Sequence, residues 1–196
     1  MPRLVLLLAA LLLATAAAPA RPSEPPPPVK ARCAACHGEQ GETTSEEFPT
    51  LAGQHPAYLL KQLQDFQSGA RQSLMNRMVR GLGAAELEAI ARYYASLPAP
   101  APASPPSELA AVGRFIHLRG NPWSGIPACK SCHGADGHGT AQLPRLAGQH
   151  AAYLERQLKE FTQRKRTNDN EIMHTIAERL TALEARAVAE YLASLK

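Results

Sequence analysis

Apolar positions along this chain recur with helical spacing, and the pattern is written twice. Tyr58, Leu59, Leu63 and Phe66 share one face of a segment opened by Pro56 and closed near Gly69. Tyr153, Leu154, Leu158 and Phe161 repeat that face 95 residues further on. A second stripe joins Leu87, Ile90, Ala91, Tyr94 and Leu97, with Leu183, Ala187, Val188, Tyr191 and Leu195 as its expected counterpart. A further helix is predicted from Ser107 to Leu118, with Ser107 as its N-cap. The first half has only a short stub in that place. No run alternates with the period of a strand, so the expected class is all-α.

Two proline-rich stretches punctuate this pattern. Arg21 to Pro28 holds five prolines and no apolar period, and reads as an extended or disordered arm. Pro98 to Pro106 reads as a polyproline II linker, reaching about 28 Å at roughly 3.1 Å per residue. The chain thus divides into a segment 1–20, an arm 21–28, a domain 29–97, a linker 98–106 and a domain 107–196. The domains are copies of each other. Leu51-Ala-Gly-Gln-His55 returns as Leu146-Ala-Gly-Gln-His150, an offset of 95. An insertion near Asn168 lengthens the offset to 98, which pairs Leu82 with Leu180.

The first twenty residues carry Arg3, an apolar run from Leu4 to Leu13 and a small-x-small site at Ala18-Pro-Ala20. This is the layout of a secretory leader, too short to span a bilayer, with cleavage expected near Ala20. The formal charge of +4 falls to about +3 when Arg3 leaves. The short run Arg164-Lys-Arg166 is followed by Thr-Asn-Asp and reads as a solvated loop, so nucleic acid is not an expected partner.

Chemistry enters with the cysteines. All four lie in two five-residue units, Cys33-Ala-Ala-Cys-His37 and Cys129-Lys-Ser-Cys-His133, 96 residues apart. Such a unit is a c-type haem attachment site. Cys33 and Cys36, like Cys129 and Cys132, are spaced to add to the two vinyl groups of one porphyrin. His37 and His133 then lie beneath the rings as iron ligands. A thioredoxin-type pair would sit in a βαβ unit, and structural zinc needs no His directly after each second Cys. Disulfides between residues three apart are strained. Two covalent haem c groups are therefore expected, in an exported protein of the periplasm. Their propionates would bring the net charge near zero.

A sixth ligand decides between electron transfer and chemistry on small molecules. Met75 lies seven residues before Leu82 and Met173 seven before Leu180, whereas Met78 aligns with Ile176, which cannot ligate. Met75 and Met173 are the expected axial pair. His55 and His150 also align, but at helix starts, where a capping or surface role is expected. His117 reads as an ordinary helix residue, and His138 and His174 have no aligned partner. Pro49 and Pro144 align in the loops after the motifs, so their carbonyls are candidates to orient the ligating imidazoles. Arg71 and Arg166 align as well, either neutralising propionates or solvated. Tyr58 and Tyr153 could bond a propionate or only pack.

These features together, CAACHG and CKSCHG, the twin LAGQH-x-x-YL segments, Arg166-Thr-Asn and a Met seven residues ahead of the Leu that opens the last helix, resemble the dihaem class I cytochromes c of the cytochrome c4 type. The resemblance covers about 30–97 and 107–196. It implies two tandem cytochrome c folds related by a pseudo-twofold axis, haem propionates approaching across the interface, and His/Met coordination. It also implies a non-enzymatic monomer that carries single electrons from a membrane-bound quinol-oxidising complex to a terminal oxidase, with loose membrane association. The alternatives are a cytochrome subunit of a periplasmic dehydrogenase and a dihaem peroxidase-like enzyme, which would need one open haem. Two departures bear on how tightly the domains pair: domain one lacks the leading helix, and the linker is long.

Overall fold

The computed structural model describes residues 24–196, and the expected leader and its cleavage site lie outside the described residues. The described chain is helical, and its only β-type pairing is an isolated antiparallel bridge between Asn121 and Ile126. Domain one begins with a π-helical turn, Val29–Cys33, that runs into α1, Ala34–His37. It continues with α2, Pro56–Ser68, the short α3, Met75–Met78, and α4, Ala84–Ser96. Domain two contains α5, Ala110–Arg119, α6, Lys130–His133, α7, Ala151–Thr162, α8, Ile172–Ala177, and α9, Ala182–Ala193. No described helix is long and apolar enough to cross a membrane.

Local chemistry sets the helix ends. Pro56 opens α2, where its missing N–H costs no hydrogen bond, and Gly69 ends it at φ 82°. In α9 the Thr181 Oγ accepts from the Glu184 amide while the Thr181 N–H donates to the Glu184 carboxylate, a reciprocal cap. Several boundaries differ from expectation. Pro27 and Pro28 are already helical, because the Val29 N–H reaches back to the Pro26 carbonyl at 2.9 Å and continues the turn. Ser107 does not cap α5, which starts three residues later; its hydroxyl donates to the Glu190 carboxylate on α9.

The predicted stripes bury the core, with one register error. Leu87, Ile90, Ala91, Tyr94 and Leu97 pack domain one as expected. In domain two Leu183 is 58% exposed; Ala187 and Val188 are buried and Tyr191 and Leu195 pack on the core as expected, with Ala189 and Leu192 buried beside them. The 98-residue offset already places Val188, Ala189 and Leu192 opposite Ile90, Ala91 and Tyr94. The leading helix α5 crosses α9, and the crossing point needs glycine: a Cβ on Gly113 would lie 1.9 Å from the Ala187 carbonyl oxygen.

His117 lies in a helix as expected, but it is fully buried there against Tyr191. Its Nε2–H donates to the Gly134 and Ala135 carbonyls at 3.0 and 3.2 Å, which fixes the loop after α6. Domain one does the same work differently, with Tyr94 and Tyr93 hydroxyls donating to the Gly38 and Glu39 carbonyls.

The two domains meet through a doubled set of bonds. The Gln54 side chain accepts from the Arg145 N–H at 2.8 Å and donates to the Arg145 carbonyl at 2.9 Å. Gln149 holds the Thr50 N–H and carbonyl in the same way, at 3.0 and 2.9 Å. His55 and His150 do not cap α2 and α7; their Nε2 atoms bond the His138 and Thr43 carbonyls of the opposite domain, at 2.7 and 2.8 Å. Every partner repeats at the 95-residue offset, so the contact has pseudo-twofold symmetry. The linker lies along this seam. Its Ala99 and Pro100 approach Gly53 and Gly148, two glycines with positive φ, and the Ala103 N–H bonds the Ala193 carbonyl.

Three outcomes follow from this packing. Gly113→Val drives a side chain into the α5–α9 crossing and lowers stability by about 3 kcal/mol, read by urea unfolding of the purified protein. Burial holds the His117 pKa below its ordinary 6.5. The unfolded chain therefore takes up that proton first, so domain two loses stability as pH falls below about 6.5, and His117→Gln flattens the slope. Converting both Gln54 and Gln149 to Ala strands backbone groups at about 1–3 kcal/mol per site and splits one calorimetric transition into two.

Candidate haem sites

Each Cys-x-x-Cys-His unit folds as a single helical turn. The first cysteine of each unit directly precedes α1 or α6 and the second lies within it, one turn on, so their sulfurs share a face, and the histidine ends the helix. Gly38 and Gly134 stop the turns at φ 75° and 79°. Their amides close the last bonds onto the Ala34 and Lys130 carbonyls. A Cβ on Gly38 would come within 2.5 Å of the Glu42 carbonyl oxygen. This explains the glycine that follows each motif.

No two of the four cysteines are joined in a disulfide. Cys33 is buried, Cys36 and Cys129 are half-buried and Cys132 is exposed. Burial pushes the Cys33 and Cys129 thiols up to about 11, which is the opposite of the lowered value a thioredoxin-type nucleophile needs.

His37 and His133 are buried at 5% and 7% exposure. Their Nδ1 atoms lie 2.9 Å from the Pro49 carbonyl and 3.3 Å from the Pro144 carbonyl, as the aligned prolines suggested. A carbonyl can only accept, so Nδ1 carries the proton and Nε2 keeps its lone pair. Burial lowers both imidazole pKa values, with the proline carbonyls opposing it. Each ring is thereby a neutral, oriented donor of one nitrogen lone pair, the form in which imidazole binds a metal.

Met75 and Met173 occupy equivalent places. Met75 begins α3 and Met173 is the second residue of α8, and both are half-buried. The residue after each methionine anchors its segment. Asn76 Nδ2 donates to the Phe66 carbonyl at 2.5 Å, and His174 Nδ1 to the Phe161 carbonyl at 2.8 Å. Asn76 and His174 align at the 98-residue offset, so His174 has a counterpart after all; the change of residue type hid it.

Arg166 is no solvated loop residue. It and Arg71 are 8% and 9% exposed, each stacked on a phenylalanine, Arg166 over Phe161 and Arg71 over Phe66. Between them lie Gln62 and Gln157 from α2 and α7. Arg71 donates to Gln62 and Gln157, both at 2.6 Å, and approaches Tyr153 Oη at 3.4 Å. Arg166 donates to Gln157 at 2.8 Å and to Tyr58 Oη at 3.0 Å. Burial disfavours the charge on Arg166, but Tyr58, Tyr153 and Glu160 outweigh it and hold its pKa above the usual value. Neither guanidinium has a carboxylate at ion-pair distance among the described residues. Two buried cations contacting only neutral oxygens at the domain seam are a donor set suited to carboxylates carried by a bound group, and haem brings such carboxylates.

The sequence reading left the roles of Gln54, Gln149, Gln62 and Gln157 unassigned. Their signal was present in the two LAGQH segments and in the 95-residue offset that pairs Gln62 with Gln157.

The family model for cytochrome c matches this chain twice, over residues 29–98 and 127–196. Cytochrome c4 of Thiocapsa roseopersicina is 42% identical over 83% of this chain and 86% of its own length. A thiosulfate dehydrogenase electron acceptor of Thiomonas intermedia is also 42% identical, over 84% of this chain and 78% of that protein. The crystal structure of reduced recombinant cytochrome c4 from Pseudomonas stutzeri superposes with a TM-score of 0.80 at 38% identity, covering 85% of this chain and 94% of the other. The chain belongs to the cytochrome c family as a tandem, two-domain member of the cytochrome c4 type, an electron-transfer protein with two covalently bound haem c groups.

Proposed function

We propose that Cys33 and Cys36 bind one haem and Cys129 and Cys132 the other through thioether bonds. His37 and His133 would hold the near faces of the irons, and Met75 and Met173 the far faces. The protein then carries single electrons in the periplasm from a membrane-bound quinol-oxidising complex to a terminal oxidase. The observation that supports this most directly is the pair of imidazoles with protonated Nδ1 atoms held on the Pro49 and Pro144 carbonyls.

Each haem supplies a one-electron Fe(III)/Fe(II) couple. The chain's own residues set its conditions. The proline carbonyls fix ring orientation and raise the basicity of Nε2. Asn76 and His174 hold the methionine segments against the α2 and α7 cores. Arg71 and Arg166 would neutralise the haem carboxylates at the seam, and their charge would favour the more negative, reduced state of the group. His37, Met75, His133 and Met173 would together leave no iron position for a substrate, and the chemistry supplied would be electron transfer.

Two expected outcomes test this reading. The purified protein weighs the processed chain plus two haems, and Cys33→Ala with Cys36→Ala halves the haemochrome content. Met75→Ala and Met173→Ala each remove the methionine–iron absorption of one haem and lower its midpoint potential. A haem count of two with no change of potential in either methionine variant would overturn the axial assignment.

A second reading, the electron-accepting cytochrome of a periplasmic dehydrogenase, is favoured by the likeness to the Thiomonas protein, whose name describes that role for thiosulfate dehydrogenase. Rapid reduction of the purified protein by thiosulfate only when such a dehydrogenase is added would select it.

A further inference from the structure

The largest apolar side chain of the molecule is also its most conspicuous exposed one. Trp123, the sole tryptophan, is 97% exposed. It does not sit on a loose loop. Asn121 and Ile126 exchange two backbone bonds, 2.8 and 2.9 Å, closing a tight hairpin. The Trp123 N–H donates to the Asn121 side chain at 3.1 Å, and Asn121 Nδ2 donates to Glu184 at the start of α9, at 2.8 Å. Arg179 Nη1 donates to the Gly125 carbonyl at 2.8 Å, and Ile126 is buried in the domain core. The loop is pinned at three points and still presents its indole to water. Burying that indole within the fold would be favourable, so its rigid exposure calls for an occupant outside the chain.

The surroundings specify that occupant. Leu183, 58% exposed, adjoins Glu184, the residue that anchors the loop, and Phe115, 53% exposed, lies one turn before the end of α5, from which the loop emerges. Arg179, which bonds the loop, and Arg119 and Lys130, which flank it in the chain, are all exposed, with no carboxylate at ion-pair distance among the described residues. The carboxylates near them are engaged: Glu184 bonds Asn121 and Thr181, and Glu178 lies 3.2 Å from His174. An apolar spot with a cationic rim matches an apolar spot with a carboxylate rim. The position also has a purpose. The loop lies between the segment of Cys132, the exposed cysteine, and the turn that leaves α8, the helix carrying Met173. Domain one has no such loop; Arg32 spans the equivalent gap, donating to the Met78 and Arg80 carbonyls.

We propose that the Trp123 hairpin is the docking surface through which domain two passes electrons to a redox protein whose contact face is apolar and rimmed by carboxylates. The proposal rests on the electron-carrier reading. One electron leaves the ferrous haem of domain two, which becomes ferric, and the acceptor centre of the partner is reduced by one electron. Domain two is then the exchange port for such partners, and the pseudo-twofold symmetry of the molecule is broken at its surface. A large, rigid aromatic at the centre of a charged rim is the usual composition of a binding hot spot.

Stopped-flow oxidation of the reduced holoprotein tests this, with an oxidised acidic blue-copper protein as probe and a small cobalt(III) complex as a reagent that needs no docking. Trp123→Ala should slow the probe reaction about tenfold. Arg119→Glu with Lys130→Glu should slow it about tenfold and reverse its decline with ionic strength. Leu74→Ala, on the exposed surface of domain one, should leave it unchanged, and all variants should match the parent towards cobalt. Parent-like probe kinetics for Trp123→Ala, or a parent protein that reacts with cobalt but not with the probe, would overturn the docking surface and leave the carrier reading intact. Failure with both oxidants would sink the carrier reading itself. A dimer in sedimentation, or binding to phosphatidylglycerol vesicles, that Trp123→Ala abolishes would assign the indole to a second copy or to a membrane and overturn the proposal.

Discussion

The hydrogen bond from each buried imidazole to a proline carbonyl ties the chemistry of this protein to its architecture. It sets the tautomer of His37 and His133, and it also fixes the start of the segment that builds the domain seam. Pro49 accepts from His37; Thr50, next in the chain, is held by Gln149 of the other domain. Four residues on, Gln54 grips Arg145, and His55 reaches the His138 carbonyl. Pro56 then opens α2, which carries Tyr58 and Gln62 to the buried arginines. Domain two runs the same sequence of contacts from Pro144 to Gln157. A shift of one proline carbonyl would therefore move both an imidazole and a contact between domains.

The buried arginines place a second constraint on the same seam. A guanidinium removed from water costs several kcal/mol unless its charge is matched, and amide and phenol oxygens match it only in part. Two such cations side by side also repel each other. Carboxylates of a bound group among these donors would match the two charges more fully. With haem carboxylates among these donors, domain pairing and haem attachment would be coupled through charge. Small domains of this size gain much of their stability from such a covalently held core.

Much of this was legible before any coordinates. The repeat offsets, the helix faces of α2, α4 and α7, the cysteine units and the proline partners all follow from spacing, because helical periodicity and motif spacing are local properties. The failures share a cause. Leu183 was assigned inward because it is apolar, although the 98-residue offset puts Ala185 opposite the buried Leu87. His55, His150 and Arg166 were read as surface or capping groups, since within a single domain they are at the surface. Their partners lie in the other domain, and nothing local to a polar side chain announces a partner over eighty residues away. Ser107 was placed as a cap on residue type alone, and a carboxylate on α9 competed for its hydroxyl.

The two halves have kept the seam and diverged away from it. Facing the seam, glutamine matches glutamine, histidine histidine and arginine arginine, because each residue serves a contact whose twin is its own counterpart. Away from it, one task is met by different chemistry. The carbonyls after the haem motif are held by two tyrosines of α4 in one domain and by a histidine of α5 in the other. The gap beside the methionine segment is bridged by Arg32 in one and by a hairpin bearing an exposed tryptophan in the other. Adding α5 made the second change possible, since the hairpin springs from its end and the α5–α9 crossing at Gly113 holds that end in place. A symmetric seam keeps both haem sites in a common frame, while the exteriors of the two domains differ in shape and chemistry.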